Sequence, residues 1–103
     1  MIRDTDKPRN AIDLPILDSL TLPIIHLNGS SKESLIDGLK EAWTALEEAE
    51  KVLRRHYPHD RDYYISPDPE AGSKARAEHD SRLLRIKSVR NEIEHICHEI
   101  YTD

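Results

Sequence analysis

The sequence predicts an all-α protein: an antiparallel two-helix hairpin with an extended N-terminal arm, assembled into a homo-oligomeric helical bundle. Three observations lead there. Two long amphipathic patterns, about residues 31–57 and 70–101, carry apolar residues at helical spacing and charges elsewhere. Pro58 and Pro69 bracket a polar stretch between them, and a proline tolerates neither a helix interior before it nor an N–H bond of its own. The apolar fraction is 37% and Phe is absent, too little for one thin hairpin to bury its stripes alone, so a second copy is expected, most simply in a dimer.

The elements follow in order. Residues 1–13 are polar and aperiodic and read as a mobile tail. Residues 14–29 are apolar but interrupted by Pro15 and Pro23, which predicts an extended arm with a short helical turn near Ile16–Leu20. Leu20, Leu22, Ile24 and Leu27 of this arm are expected to lie buried in the groove of a hairpin, their own or a neighbour's. The hairpin occupies residues 30–103. Ser30 with Glu33 matches a capping box, with Ser31 as a competing cap. The first stripe runs Leu35, Leu39, Ala42, Leu46, Ala49, Leu53, flanked by Ile36 and Trp43. A tip loop spans residues 58–69, and Asp68-Pro69-Glu70 predicts the next helix start, with Asp68 capping. The second stripe runs His79, Arg82, Ile86, Val89, Ile93, Ile96, Ile100, flanked by Leu83 and Cys97.

Composition excludes several function classes. A formal charge of −5 argues against general nucleic-acid or anionic-membrane binding. No apolar run reaches the roughly 18 residues of a membrane span, and Asp4, Asp6 and Asp13 do not suit a signal peptide. A lone cysteine, Cys97, fits a reducing compartment, so a cytoplasmic location is expected. Phosphate loops, nucleophile elbows and zinc-finger spacings are absent, so no catalytic residue, cofactor or metal is assigned. His95 and His98 share a helix face. An antiparallel hairpin nevertheless sets them roughly 30–40 Å from His56 and His59 at 1.5 Å per residue, too far to share one metal.

The charge distribution singles out one region. Between Lys51 and Arg90 there are ten Lys/Arg against six Asp/Glu, whereas the rest of the chain is strongly acidic. Within that basic zone the segment Tyr57–Tyr64 packs one His, one Arg, two Asp and three Tyr into eight residues, with His56 just before it. Arg61 can grip a carboxylate or phosphate in a fork, and Tyr63 and Tyr64 can stack or donate hydroxyls. Alternatively the loop folds onto the helix ends, with Arg61 and an Asp locking it. Arg61, Asp62, Tyr63, Tyr64, His79 and Arg82 are therefore the candidate ligand- or partner-binding residues, and His79 has a second reading as a half-buried histidine bonded to a carboxylate of Asp62 or Glu47. Trp43, Leu20, Leu22 and Ile24 are the candidate oligomer interface.

The combination Leu27-Asn28-Gly29-Ser30-Ser31, Pro58-His59-x-Arg61-Asp62-Tyr63-Tyr64, Pro69-Glu70-Ala71 and Glu78-His79-x-x-Arg82-Leu83 resembles a family of small helical proteins encoded by bacteriophages and prophages. The resemblance covers about residues 24–101, and where that family often has Gly this chain has Asp60. It implies a small non-enzymatic binding protein, a host-takeover or anti-defence factor that holds a bacterial host protein or a signalling nucleotide in stoichiometric complex. The alternative it implies is a structural or assembly module of a phage particle.

Overall fold

The computed structural model describes residues 16–102; the tail over residues 1–13 and the first two residues of the arm lie outside them. Two helices pack antiparallel against each other, α1 over Lys32–Arg55 and α2 over Ala71–Thr102, and no strand occurs among the described residues. None of the helices is long and apolar enough to cross a membrane.

Local chemistry explains each boundary. Ser31 Oγ accepts from the Ser34 N–H at 3.1 Å, so Ser31 and not Ser30 caps α1. The helix ends two residues short of Tyr57, where the His56 N–H is shared between the Val52 and Leu53 carbonyls at 3.2 Å, and Pro58 follows. Ahead of α2, Asp68 Oδ1 accepts from the Glu70 N–H at 2.9 Å and the Asp68 carbonyl from the Ala71 N–H at 3.2 Å. Asp68 thus closes a turn ahead of α2 but is not its N-cap, because the helix starts at Ala71, two residues later than predicted, and Pro69 lies in the turn before it and not at the first helical position.

Most of the stripes read off the sequence are withdrawn from solvent, Leu35, Leu39, Leu46 and Leu53 in α1 and His79, Ile86, Ile93, Ile96 and Ile100 in α2, but the inward face of each helix is shifted part-way toward its flank. In α1 that face holds Ile36, Leu39, Trp43, Leu46, Glu50 and Leu53, whereas Ala42 and Ala49 are exposed. In α2 the corresponding set is His79, Leu83, Ile86, Arg90, Ile93, Cys97 and Ile100, whereas Arg82 and Val89 are exposed. Both sets keep the alternating steps of three and four that suit helix-on-helix packing. At the centre of the shifted face lies one ion pair. Glu50, only 1% exposed, meets Arg90 across the helix interface through Oε2 and Nε, and neither atom has a hydrogen bond elsewhere. Arg54 Nη2 adds a 3.5 Å contact to Oε1, and the Arg90 guanidinium lies over the Trp43 ring, 5.0 Å from its centroid. A charge at a core position is tolerated only when paired, and here the pair is supplied by the facing helix.

Among the described residues the buried apolar side chains are Ile36 and Ile100, both at the base of the hairpin. The arm reaches that base. A single 3-10 turn over Leu17–Ser19, closed by Ser19 Oγ donating to the Ile16 carbonyl at 2.7 Å, occupies the place where a helical turn was expected. No regular structure follows until a turn in which the Gly29 N–H donates to the His26 carbonyl at 3.2 Å. The absence of a side chain at Gly29 leaves room for the His26 ring, since a Cβ would stand 2.8 Å from His26 Nε2.

The expected burial of the arm is not what the single chain shows. Leu20 is half-buried, Leu22 is exposed, and Ile24 and Leu27 are 83% and 98% exposed. The arm meets the hairpin only at the end of α2, where Leu22, Pro23 and Ile25 border a recess of about 140 Å3 with Glu99 and Ile100.

Candidate functional site

The tip is built by backbone hydrogen bonds. After Pro58 a 3-10 turn over Asp60–Asp62 is capped by His59, whose Nδ1 accepts from the Arg61 N–H at 3.1 Å. The Asp60 carbonyl accepts from the Tyr63 and Tyr64 N–H groups at 2.9 and 3.0 Å, and the Tyr63 carbonyl from Ser66 at 3.0 Å. Ser66 Oγ in turn accepts from the Asp68 N–H at 3.2 Å and leads the chain into α2.

Three side-chain braces then tie this loop to the helices. Asp60 pairs with Arg76, and Gly72 makes room for that carboxylate, because a Cβ at Gly72 would lie 2.9 Å from Asp60 Oδ1. The Asp60 hydrogen bond pushes the Arg76 guanidinium pKa further above its usual range. Lys74 Nζ contacts Asp68 Oδ2 at 2.7 Å. The Tyr57 hydroxyl donates to Asp80 Oδ1 at 2.9 Å, and that bond to a carboxylate raises the Tyr57 pKa above the ordinary phenol value. Each exposed pair alone is worth little, because solvent screens it. Together they fix one conformation.

His79 anchors the inner end. It is 6% exposed, its Nε2–H donates to the Leu53 carbonyl at 2.7 Å, and the Tyr57 ring meets it edge-on at 5.3 Å. The partner is thus a backbone carbonyl, not the Asp62 or Glu47 carboxylate of the sequence reading; His79 keeps its place on the inward stripe of α2, where the end of α1 presents the Leu53 carbonyl. The lock expected between Arg61 and an Asp is likewise made by Arg76 with Asp60.

A cleft of about 470 Å3 opens between loop and helices, bordered by His56, Tyr57, Pro58, Asp62, Tyr63, Asp68, Lys74, Glu78, His79 and Arg82. Of the six candidates, Asp62, Tyr63, His79 and Arg82 meet around it. Arg61 and Tyr64 do not border it; both are exposed on the loop, Tyr64 by 78%. Beside Tyr64, Ile65 is 80% exposed, a residue that sequence reasoning passed over because an isolated Ile in a polar loop carries no periodic signal. Tyr57 was treated as a tip residue rather than a brace, although it continues the Ile36, Trp43, Glu50 spacing by a further heptad.

Electrostatically the braces use up charge selectively. Asp60, Asp68 and Asp80 are engaged with Arg76, Lys74 and Tyr57, whereas the guanidinium groups of Arg61 and Arg82 enter no hydrogen bond or ion pair among the described residues. No three His, Cys, Asp or Glu side chains come together as a metal site among the described residues.

A second, apolar opening lies at the other end of the hairpin. There α1 and α2 leave a groove of about 500 Å3 walled by Ile36, Leu39, Trp43, Ile93, Cys97 and Tyr101. Trp43, half-buried, therefore touches both the Arg90 guanidinium and this groove.

Fold and sites together define a small helical hairpin with a braced tip and an open apolar base. Comparison with protein-family models, with curated proteins and with solved structures finds no match to this chain.

Proposed function

We propose that this chain is a stoichiometric binding protein, not an enzyme, acting as a homodimer through its hairpin tip. The observation that carries this reading is the state of the loop. Backbone bonds and three braces hold it in place, yet Arg61, Arg82, Tyr64 and Ile65 are left facing outward. A loop ordered in advance loses little freedom on binding, so its exposed guanidinium and aromatic groups add to affinity with a small ordering cost. Their chemistry suits a partner presenting an anionic group beside a flat apolar surface. A signalling nucleotide offers phosphate and base; a host protein offers a carboxylate next to an apolar patch. In the setting suggested by the phage-like motifs, either would serve host takeover or evasion of a bacterial defence within the host cytoplasm.

The test measures both sources with the same variants. Calorimetry against cyclic and linear nucleotides, beside retention of partners from a bacterial lysate, should give saturable binding in one arm that Arg61→Ala and Tyr64→Ala weaken at least tenfold. Thermal unfolding of the variants should match the parent, since neither side chain is part of a brace. Binding that survives both substitutions would move the contact surface off the tip. Absence of binding in both arms, with assembly onto phage particles instead, would favour the structural-module alternative.

A further inference from the structure

We propose that the apolar groove at the base of the hairpin is the seat of the arm of a second copy, with Ile24 and Leu27 inserted against Trp43, Cys97 and Tyr101 of that copy. The inference rests on the reading that the chain self-associates and states which surfaces do it.

Four features of the molecule converge. The first is supply: six of the seven Leu and Ile residues between Ile16 and Leu27 are exposed by more than a third, and Ile24 and Leu27 almost entirely. The second is demand, because the groove is walled by aliphatic and aromatic side chains that a monomer leaves open. Charge is the third. From Ser19 to Ser31 the arm contains no Asp, Glu, Lys or Arg, and the ionisable residues bordering the groove, Lys40, Glu94 and His98, are all exposed, so an uncharged apolar segment brings no further charge to it.

Geometry is the fourth. The arm borders its own hairpin at Glu99 and Ile100, next in sequence to Tyr101 and within about one helical turn of Cys97, both of which line the groove. Its inner side is already spent there on Leu22, Pro23 and Ile25, while Ile24 and Leu27 point elsewhere. Each chain therefore carries a plug and a socket at the same end that it does not join to each other. A two-fold axis at the base joins both pairs at once, the closed arrangement expected of a self-complementary interface. Two arms and two grooves also provide the burial that a core with Ile36 and Ile100 as its buried apolar residues lacks. Stable dimers bury roughly 800 Å2 per partner, a size two arms of this length suit better than a contact between helix faces alone.

Cys97, the single cysteine, makes the contact directly measurable. Ile24→Cys and, separately, Leu27→Cys are oxidised at low micromolar concentration and analysed without reductant, with the parent protein alongside. Light scattering should give twice the 11.9 kDa chain mass for all three proteins. At least one variant should convert mostly to a disulfide-linked dimer whose cross-linked peptides join the introduced cysteine to Cys97, and the parent should not. A compact monomer by light scattering would overturn self-association and the inference together. A dimer with no cross-link in either variant, or with a Cys97-to-Cys97 link in the parent, would keep self-association and overturn the arm-to-groove contact. A cross-link formed within one chain would show that the arm closes on its own groove, which also overturns it.

Discussion

Replacing Arg90 with Met tests the ion pair at the centre of the helix interface. The substitution keeps an unbranched apolar stem but removes the guanidinium that faces Glu50 and lies over the Trp43 ring. The Glu50 side chain is 2% exposed and that of Arg90 16%, so the carboxylate would be left buried with only Arg54 near it. Arg54 lies 3.5 Å away on a side chain that is 60% exposed, and such a screened contact restores about 0–1 kcal/mol. Breaking a buried pair from one side costs about 3–5 kcal/mol, which places the expected loss near 3 kcal/mol after that partial rescue. Urea unfolding at fixed protein concentration reads it. With a slope of about 1.5 kcal/mol/M, the midpoint should fall by about 2 M. The double variant Glu50→Leu/Arg90→Met should regain the parent's stability or exceed it by up to about 4 kcal/mol, because desolvation of both charges is then avoided. A single variant that loses less than about 1 kcal/mol, or a double variant as unstable as the single, would refute the claim that this pair is buried and mutually dependent.

Two further substitutions probe the ends of the same argument. Gly38 lies inside α1 and a Cβ there would meet nothing within 4 Å, so Gly38→Ala should stabilise by about 0.5–1 kcal/mol, seen as a higher melting temperature; a decrease would place Gly38 in a contact with another copy. The hydrogen bond to Asp80 raises the Tyr57 pKa in the folded state, so its contribution is complete below the unfolded phenol value of about 10 and is lost as pH rises through the higher folded value. Phenolate absorbance taken as the difference from Tyr57→Phe should show a late titration that Asp80→Asn brings back toward the ordinary range, and an unchanged midpoint in Asp80→Asn would remove that brace.

Much of this molecule was legible because the relevant forces are local. Pro58 and Pro69 act on their own backbone, Ser31 caps and Asp68 closes a turn within three residues, and alternating steps of three and four mark a helix face whatever it packs against. The candidate site was legible only in part, for the same reason. A cluster of Arg, Tyr, His and Asp pointed to the tip, but which carboxylate meets which cation depends on residues 16 positions apart for Asp60 and Arg76 and 23 apart for Tyr57 and Asp80.

The sequence by itself determined two helices, their boundaries, the loop between them and an apolar arm, since propensity, capping and periodicity require no distant partner. Which face of each helix turns inward was decided by the tertiary structure alone. A reader of the sequence places Ala49 and Val89 inside and keeps Glu50 and Arg90 in water, because an isolated buried charge is prohibitively costly. Only when the two helices lie side by side does each charge find its counter-ion, and the penalty that made Glu50 an outward residue in the sequence becomes the contact that holds it inside.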